Sequence, residues 1–197
     1  VAMFLHGGAN GILTRGIHYL DAACDLFGRY PLSVISSARG DPINPRSKKL
    51  MFYEGTVSWN FGKSRELCFF FTNQSSITRS VNIYFRDASM KIYSNLEAEI
   101  RSRDPSDLEK FPAVTRTGEL TEILYKGPIP GLLSKEERTL DLFDDIEFSN
   151  VKKFPPKLAL LALNSCIGAL EAGRSGQRVN LPIDVNSTIA ALEWPIS

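Results

Sequence analysis

Between residues 51 and 94, four apolar stretches follow one another across links of two to six residues, and this spacing limits the fold more than any other feature. A strand that returns parallel to its predecessor needs a crossover of about a dozen residues or more. These links are too short for that, so the four stretches are predicted to pair antiparallel. In MFYEGTVSWNF, 51–61, the residues Met51, Tyr53, Gly55, Val57, Trp59 and Phe61 share one face, the period of a half-buried strand. SVNIYF, 80–85, alternates in the same way, and ASMKIYS, 88–94, follows after a turn at Asp87. ELCFFFTN, 66–73, is apolar on both faces. That marks a central strand covered on both sides, which implies a partner domain or a dimer contact as the second cover.

Helical patterns flank this block. Over 16–27, Ile17, Leu20, Cys24 and Phe27 recur at spacings of three and four, and Gly28 supplies the stop. LSVISSAR, 32–39, is predicted as a strand, and residues 38–49 form a polar loop broken by Pro42 and Pro45. Residues 95–119 turn charged and are expected to make a helical or irregular surface excursion. TEILYK, 121–126, is predicted as a strand, GPIPG, 127–131, as a break, and the acidic stretch 134–148 as a short helix. The clearest helix enters at Pro155 and Pro156. Its stripe is Leu158, Leu161, Ala162, Ser165, Ala169 and Ala172, and Gly173 is expected to cap it. Ile183 to Leu192 is predicted as one more short helix. The fold class that follows is α+β: an open, mostly antiparallel sheet with helices on one face. The whole chain, 1–197, is taken as one domain with an insertion at 95–150.

Lysine plus arginine number 23 and aspartate plus glutamate 22, so the chain is close to neutral. The basic runs at Arg46–Lys49 and Lys152–Lys153 are short, which argues against a nucleic-acid partner. Cys24, Cys68 and Cys166 lie far apart in apolar runs and are read as buried free thiols of a reducing compartment, hence a cytoplasmic protein. Their spacing offers no zinc site, and no metal is expected. No apolar run has the length of a membrane span, and no signal peptide is recognised. The sequons at Asn73 and Asn186 matter only in a secreted protein. The chain opens at Val1 directly into VAMFLHGGANG, which is read as a cut through a longer protein whose C-terminal domain this is.

Motifs of chemistry are few. FGKS, 61–64, resembles part of a phosphate-binding loop, but Val57 stands where its first glycine belongs and a strand follows, so it is read as a hairpin turn. HGGANG, 6–11, lacks G-x-G-x-x-G, and no strand–turn–helix dinucleotide unit is recognised; the glycines let backbone approach a ligand or a neighbouring domain closely. The adjacent acids Glu136–Glu137 and Asp144–Asp145 point apart and read as solvated surface. His18 stands at the start of the first helix. Taken alone it is a structural helix residue; its imidazole is also a usable acid or base near neutral pH.

The run from Gly11 to Gly28, GILTRGIHYLDAACDLFG, resembles the start of the C-terminal domain in the Gfo/Idh/MocA oxidoreductases, where the usual form contains D-x-G-x-H-x-x-D-x-x-x-x-L-x-G. EGTVSWNFG, 54–62, and VNIY, 81–84, resemble that family's next strands, and ALEAGRSG, 169–176, followed by LPID, its closing helix and exit. The likeness covers 11–94 and 155–193. It implies an N-terminal Rossmann domain outside this chain that binds NAD or NADP and brings a lysine to the chemistry. This chain would contribute the open sheet, contacts to a sugar-like substrate, and a homo-oligomer interface through the sheet face. The resemblance places the acid/base role on His18, with Thr14, Arg15 and Tyr19 as substrate neighbours; cofactor-binding residues are not assigned in this chain. It implies a hydride exchanged between nicotinamide and a sugar or cyclitol carbon in the full-length protein, and an isolated chain that binds no cofactor and is inactive. Thr14 departs from the pattern: it stands where the family has the aspartate and supplies no carboxylate. That departure motivates the alternative, a non-catalytic ligand-sensing or scaffold member of the same fold.

Overall fold

The computed structural model describes residues 1–7, 12–41, 52–72, 80–103, 122–134, 136–137, 156–184 and 186–192. The expected helix over 134–148 falls largely outside these residues, as do Asn73, Asp144, Asp145, the basic runs at 46–49 and 152–153, and most of HGGANG.

The strands are β1 (Ala2–Gly7), β2 (Ser33–Ser36), β3 (Arg39–Asp41), β4 (Phe52–Gly62), β5 (Arg65–Phe71), β6 (Ser80–Tyr84), β7 (Ala88–Ile92), β8 (Glu97–Ser102), β9 (Glu122–Pro128) and β10 (Val179–Asn180). They form one open sheet in the order β10–β2–β4–β5–β1–β6–β7–β8–β9, with β3 beside β4. Two helices, α1 (Ile17–Phe27) and α2 (Pro156–Ser175), complete the α+β architecture among the described residues.

The antiparallel expectation holds for β4–β5 and β6–β7 but fails between them. β5 and β6 do not pair. β1 lies between the two, parallel to β5 from Ala2↔Glu66 to Gly7↔Phe71 and antiparallel to β6. The link from Phe71 to Ser80 has enough residues to step over one strand, a distance of about 10 Å. The β4–β5 link is a tight hairpin, as expected: Lys63 and Ser64 both take positive φ, 50° and 55°, the pair of left-handed residues that a two-residue turn needs.

A second correction concerns 95–119. Glu97–Ser102 is a sheet strand, β8, paired to β7 and β9. Ala98 and Ile100 alternate with Glu97, Glu99 and Arg101, so charged side chains occupy one face of a regular strand. Glu99 is buried there between Arg101 (2.6 Å) and Lys126 (3.1 Å). Hydrogen bonds from these two cations hold its carboxyl below the ordinary range. β9 runs through Pro128, into the segment expected to be a break.

The core lies under the helices. Val57, Trp59 and Phe61 of β4 and Leu67, Phe69 and Phe71 of β5 are sealed from solvent. Burying a side chain of this size contributes about 1.5–3 kcal/mol. Phe27 of α1 meets Phe61 edge-on at 4.8 Å between centroids. The helix α2 packs through small residues, Ala162, Ser165, Cys166, Ala169 and Ala172, and the Trp59 indole donates to the Ser165 carbonyl at 3.1 Å. Leu160 and Leu163 of the same helix are exposed. The helix also passes through Gly173, the expected cap, and ends at Ser175 before Gly176 in the left-handed region. Gly173 serves contact instead: a β-carbon there would collide with the Ala38 carbonyl oxygen.

The expected helix at 183–192 is a run of turns, with Ala190 N–H donating to Ser187 O and Leu192 N–H to Ile189 O. The side chain of Asn164 fixes the entry to that run by accepting from Ile183 N–H (2.7 Å) and donating to Ile183 O (2.9 Å). Among the described residues, β5 is covered on one face only: opposite its buried residues, Phe70 is exposed and Cys68 half-buried, beside exposed Phe4 and Tyr84.

Gly173→Ala drives a β-carbon into a backbone carbonyl, so we expect a loss of about 1–3 kcal/mol or more in urea unfolding. Gly176→Ala, with open space around it, costs only the left-handed strain of roughly 1–2 kcal/mol. A loss below about 1 kcal/mol for Gly173→Ala would mean that α2 does not approach Ala38 as described.

Candidate active site

The helical run that carries His18 starts before α1. Ile12–Gly16 form a π-helical turn that continues directly into Ile17–Phe27, and its last residue, Gly16, is itself helical (φ −57°, ψ −37°). Inserted π turns widen the helix by one residue and often mark functional sites. A buried stripe of Ile12, Gly16, Leu20, Cys24 and Phe27 faces the sheet. Gly16 allows the closest approach: a β-carbon there would be 3.3 Å from the Phe69 ring.

These contacts fix the direction of the helix. Its first turn sits over Phe69, near the C-terminal end of β5, and its last turn over Phe61, near the opposite end of the sheet. β1 runs parallel to β5, so the start of the helical run lies at the C-terminal end of that strand pair. Open sheets with parallel strands commonly hold ligands at this end. Strand β1 and the helical run that follows it in the chain therefore form a unit, which sequence reasoning missed: Ala2–Gly7 alternates too little to read as a strand. It is not a dinucleotide unit. HGGANG replaces the required glycine pattern, and the parallel neighbour of β1 is β5, far along the chain.

The four predicted residues come together on this unit. Thr14 and Arg15 belong to the π turn, His18 and Tyr19 to the first turn of α1. His18 is exposed, on the side away from the core, with Asp21, Ala22 and Asp25 beyond it on the same side. Arg15, one turn before His18, is half-buried at the border of the two stripes. Tyr19 leans inward, half-buried, its ring 5.9 Å from that of Phe69, so its aromatic body packs on the core. At the far end, Gly28 N–H donates to Asp25 O and Arg29 N–H to Cys24 O, a closing motif that matches the expected stop.

Cys166 on α2 braces the π turn from below, its thiol 3.9 Å from the Ile12 carbonyl. Burial pushes the thiols of Cys166 and Cys24 up to about 12, with Asp21 and Asp25 adding to the effect at Cys24. Cys68 is only half-buried, against expectation; desolvation raises it, and its hydrogen bond to Ser58 lowers it. Among the described residues no group of three or more histidine, cysteine or acidic side chains could hold a metal ion, and no helix is long and apolar enough to cross a membrane.

No family model matches the chain, and no curated protein matches it. Solved structures do. An oxidoreductase from Agrobacterium radiobacter, in complex with NAD+, L-tartaric acid and magnesium, is 14% identical with a TM-score of 0.60, covering 96% of this chain and 57% of that one. The WlbA dehydrogenase from Bordetella pertussis, in complex with NADH and UDP-GlcNAcA, is 13% identical with a TM-score of 0.54, covering 93% and 55%. A super-repressor mutant of Gal80p from Saccharomyces cerevisiae is 10% identical with a TM-score of 0.57, covering 92% and 57%. This chain has an oxidoreductase-type fold. It spans a little over half the length of the solved proteins it matches.

The buried thiols make the packing around the π turn testable. Iodoacetamide at pH 8 should alkylate Cys68 in the native protein and leave Cys24 and Cys166 untouched, whereas all three react in urea. Native labelling of Cys166 as fast as Cys68 would show that α2 does not seal the turn.

Proposed function

We propose that this chain is the substrate-side domain of an NAD(P)-dependent oxidoreductase that acts on a sugar or cyclitol hydroxyl. The observation that carries the reading is His18, exposed on the first turn after a π-helical insertion, at the C-terminal ends of β1 and β5. Two neighbours of the same fold hold NAD+ or NADH together with a hydroxy acid or a nucleotide sugar, which supports the class of ligand.

The described residues do not offer a dinucleotide cradle, so the nicotinamide is assigned to an N-terminal domain outside this chain. The cofactor held there supplies a hydride acceptor. His18, in its neutral form, takes the proton of the substrate hydroxyl as the carbinol carbon is oxidised, and returns it in the reverse direction. Thr14 and Arg15, on the turn before His18, hold the substrate from the side of the π turn. Tyr19 contributes chiefly by fixing that turn against Phe69. A second copy of the chain packs on the sheet face that carries Phe4 and Tyr84.

His18→Ala in the full-length protein is expected to lower kcat/KM by about 10²–10⁴-fold, the range for a positioned acid/base group, with nucleotide binding retained. An unchanged rate would sink the assigned role. A second reading, a ligand sensor without turnover, draws on Thr14 in place of a carboxylate and on the repressor Gal80p sharing the fold. Cofactor binding with no oxidation across a sugar and cyclitol panel would select it. The isolated chain should neither bind NAD(P) nor turn over.

A further inference from the structure

We propose that Arg15 recognises an anionic group on the substrate, so that the alcohol oxidised at His18 carries a carboxylate or a phosphate a few bonds from its reacting carbon. The proposal rests on the reading of His18 given above and adds the substrate's charge. Arg15 lies three residues before His18, at the junction where the π turn passes into α1, so both side chains leave the same short stretch of one helical run. A group held by the guanidinium is thus close to the imidazole but does not compete with the hydroxyl for it.

Arg15 is half-buried, yet no hydrogen bond or ion pair engages it among the described residues. The other half-buried cation described above, Arg101, is held to Glu99. Along its own helical run, from Ile12 to Leu20, there is no acidic residue. The first, Asp21, lies six residues beyond Arg15, and Asp25 ten, both on the exposed side of α1. The planar fork of a guanidinium matches carboxylate and phosphate oxygens two at a time. A neutral sugar leaves that fork without a counter-charge, and an anionic one supplies it.

The test uses the full-length protein with its cofactor and three related probes: D-glucose, D-glucuronate and D-glucose 6-phosphate. Wild type, Arg15→Gln and Arg15→Lys are compared by steady-state kinetics and by calorimetric binding, with thermal melts to show that each variant folds. We expect at least one anionic probe to exceed glucose by about ten- to a hundredfold in association constant and in kcat/KM, the range for a charge-assisted pair. Arg15→Gln should erase that ratio, chiefly through KM, and Arg15→Lys should restore part of it. Preference for glucuronate or for the phosphate ester assigns the carboxylate or the phosphate. An acid-to-neutral ratio that Arg15→Gln leaves unchanged, or no anionic preference in binding at all, overturns the proposal. Arg15-dependent binding without oxidation would instead overturn the assigned reaction while leaving the anion site standing. His18-dependent oxidation without any role for Arg15 would do the reverse.

Discussion

The parallel pairing of β1 with β5 is the constraint on which the rest of the structure depends. An all-antiparallel meander would place every connection at a tight turn and leave no reason for a helix to start over the middle of the sheet. With β1 wedged between β5 and β6, the chain leaves the sheet at Gly7, beside Phe71, and re-enters as a helical run at Ile12. Only four residues separate the two. The start of that run is therefore tied to the C-terminal ends of two adjacent strands, and His18 is carried there by backbone geometry.

Close packing then converts position into rigidity. Two helices share one face of the sheet, and each touches it through residues that keep the backbones near. Gly16 lets the π turn sit on Phe69, and Gly173 lets α2 reach Ala38. Trp59 links the layers by filling the space between β4 and α2 and by giving its one indole N–H to a helix carbonyl. A buried N–H left unpaired costs about 1–3 kcal/mol, so this bond specifies the depth at which α2 rests. Cys166, one residue on, lies against the first carbonyl of the π turn. The turn that bears Thr14 and Arg15 is thus supported from both the sheet and the second helix.

The parts of this arrangement that depend on local pattern were legible in the sequence. Alternation through Val57, Trp59 and Phe61 gave β4 and its buried face, the spacing of Leu20, Cys24 and Phe27 gave α1, and Gly28 its end. What failed depends on distant partners. Ala2–Gly7 carries no clear period because apolar residues fall on both of its faces, Met3 buried and Phe4 exposed, and only its pairing with β5 and β6 makes it a strand. Glu97–Ser102 alternates correctly, but its charges sit where Arg101 of the same strand and Lys126 of β9 neutralise Glu99, and the partner across the strands cannot be read from composition. Gly173 looked like a stop because glycine usually ends helices; its reason is a carbonyl more than a hundred residues earlier. The site residues were legible as a cluster for a simple reason: Thr14, Arg15, His18 and Tyr19 lie within six residues. The π turn beneath them was not, since nothing in ILTRG distinguishes it from an ordinary first turn.

Thr14 and Arg15 gain meaning when taken together. In the family pattern that this segment resembles, a carboxylate precedes the histidine by four residues. Here that position is neutral and the next one is cationic, so the charge of the turn shifts from negative toward positive. Such an exchange does not simply delete a function. It changes the charge that the turn presents: a carboxylate there repels an acid substrate, whereas a cationic side chain attracts one. The replacement of Asp by Thr therefore need not signal lost chemistry. If the substrate brings the negative charge, the imidazole again lies near an anion, and the carboxylate that the fold no longer supplies is one that the ligand supplies in its place.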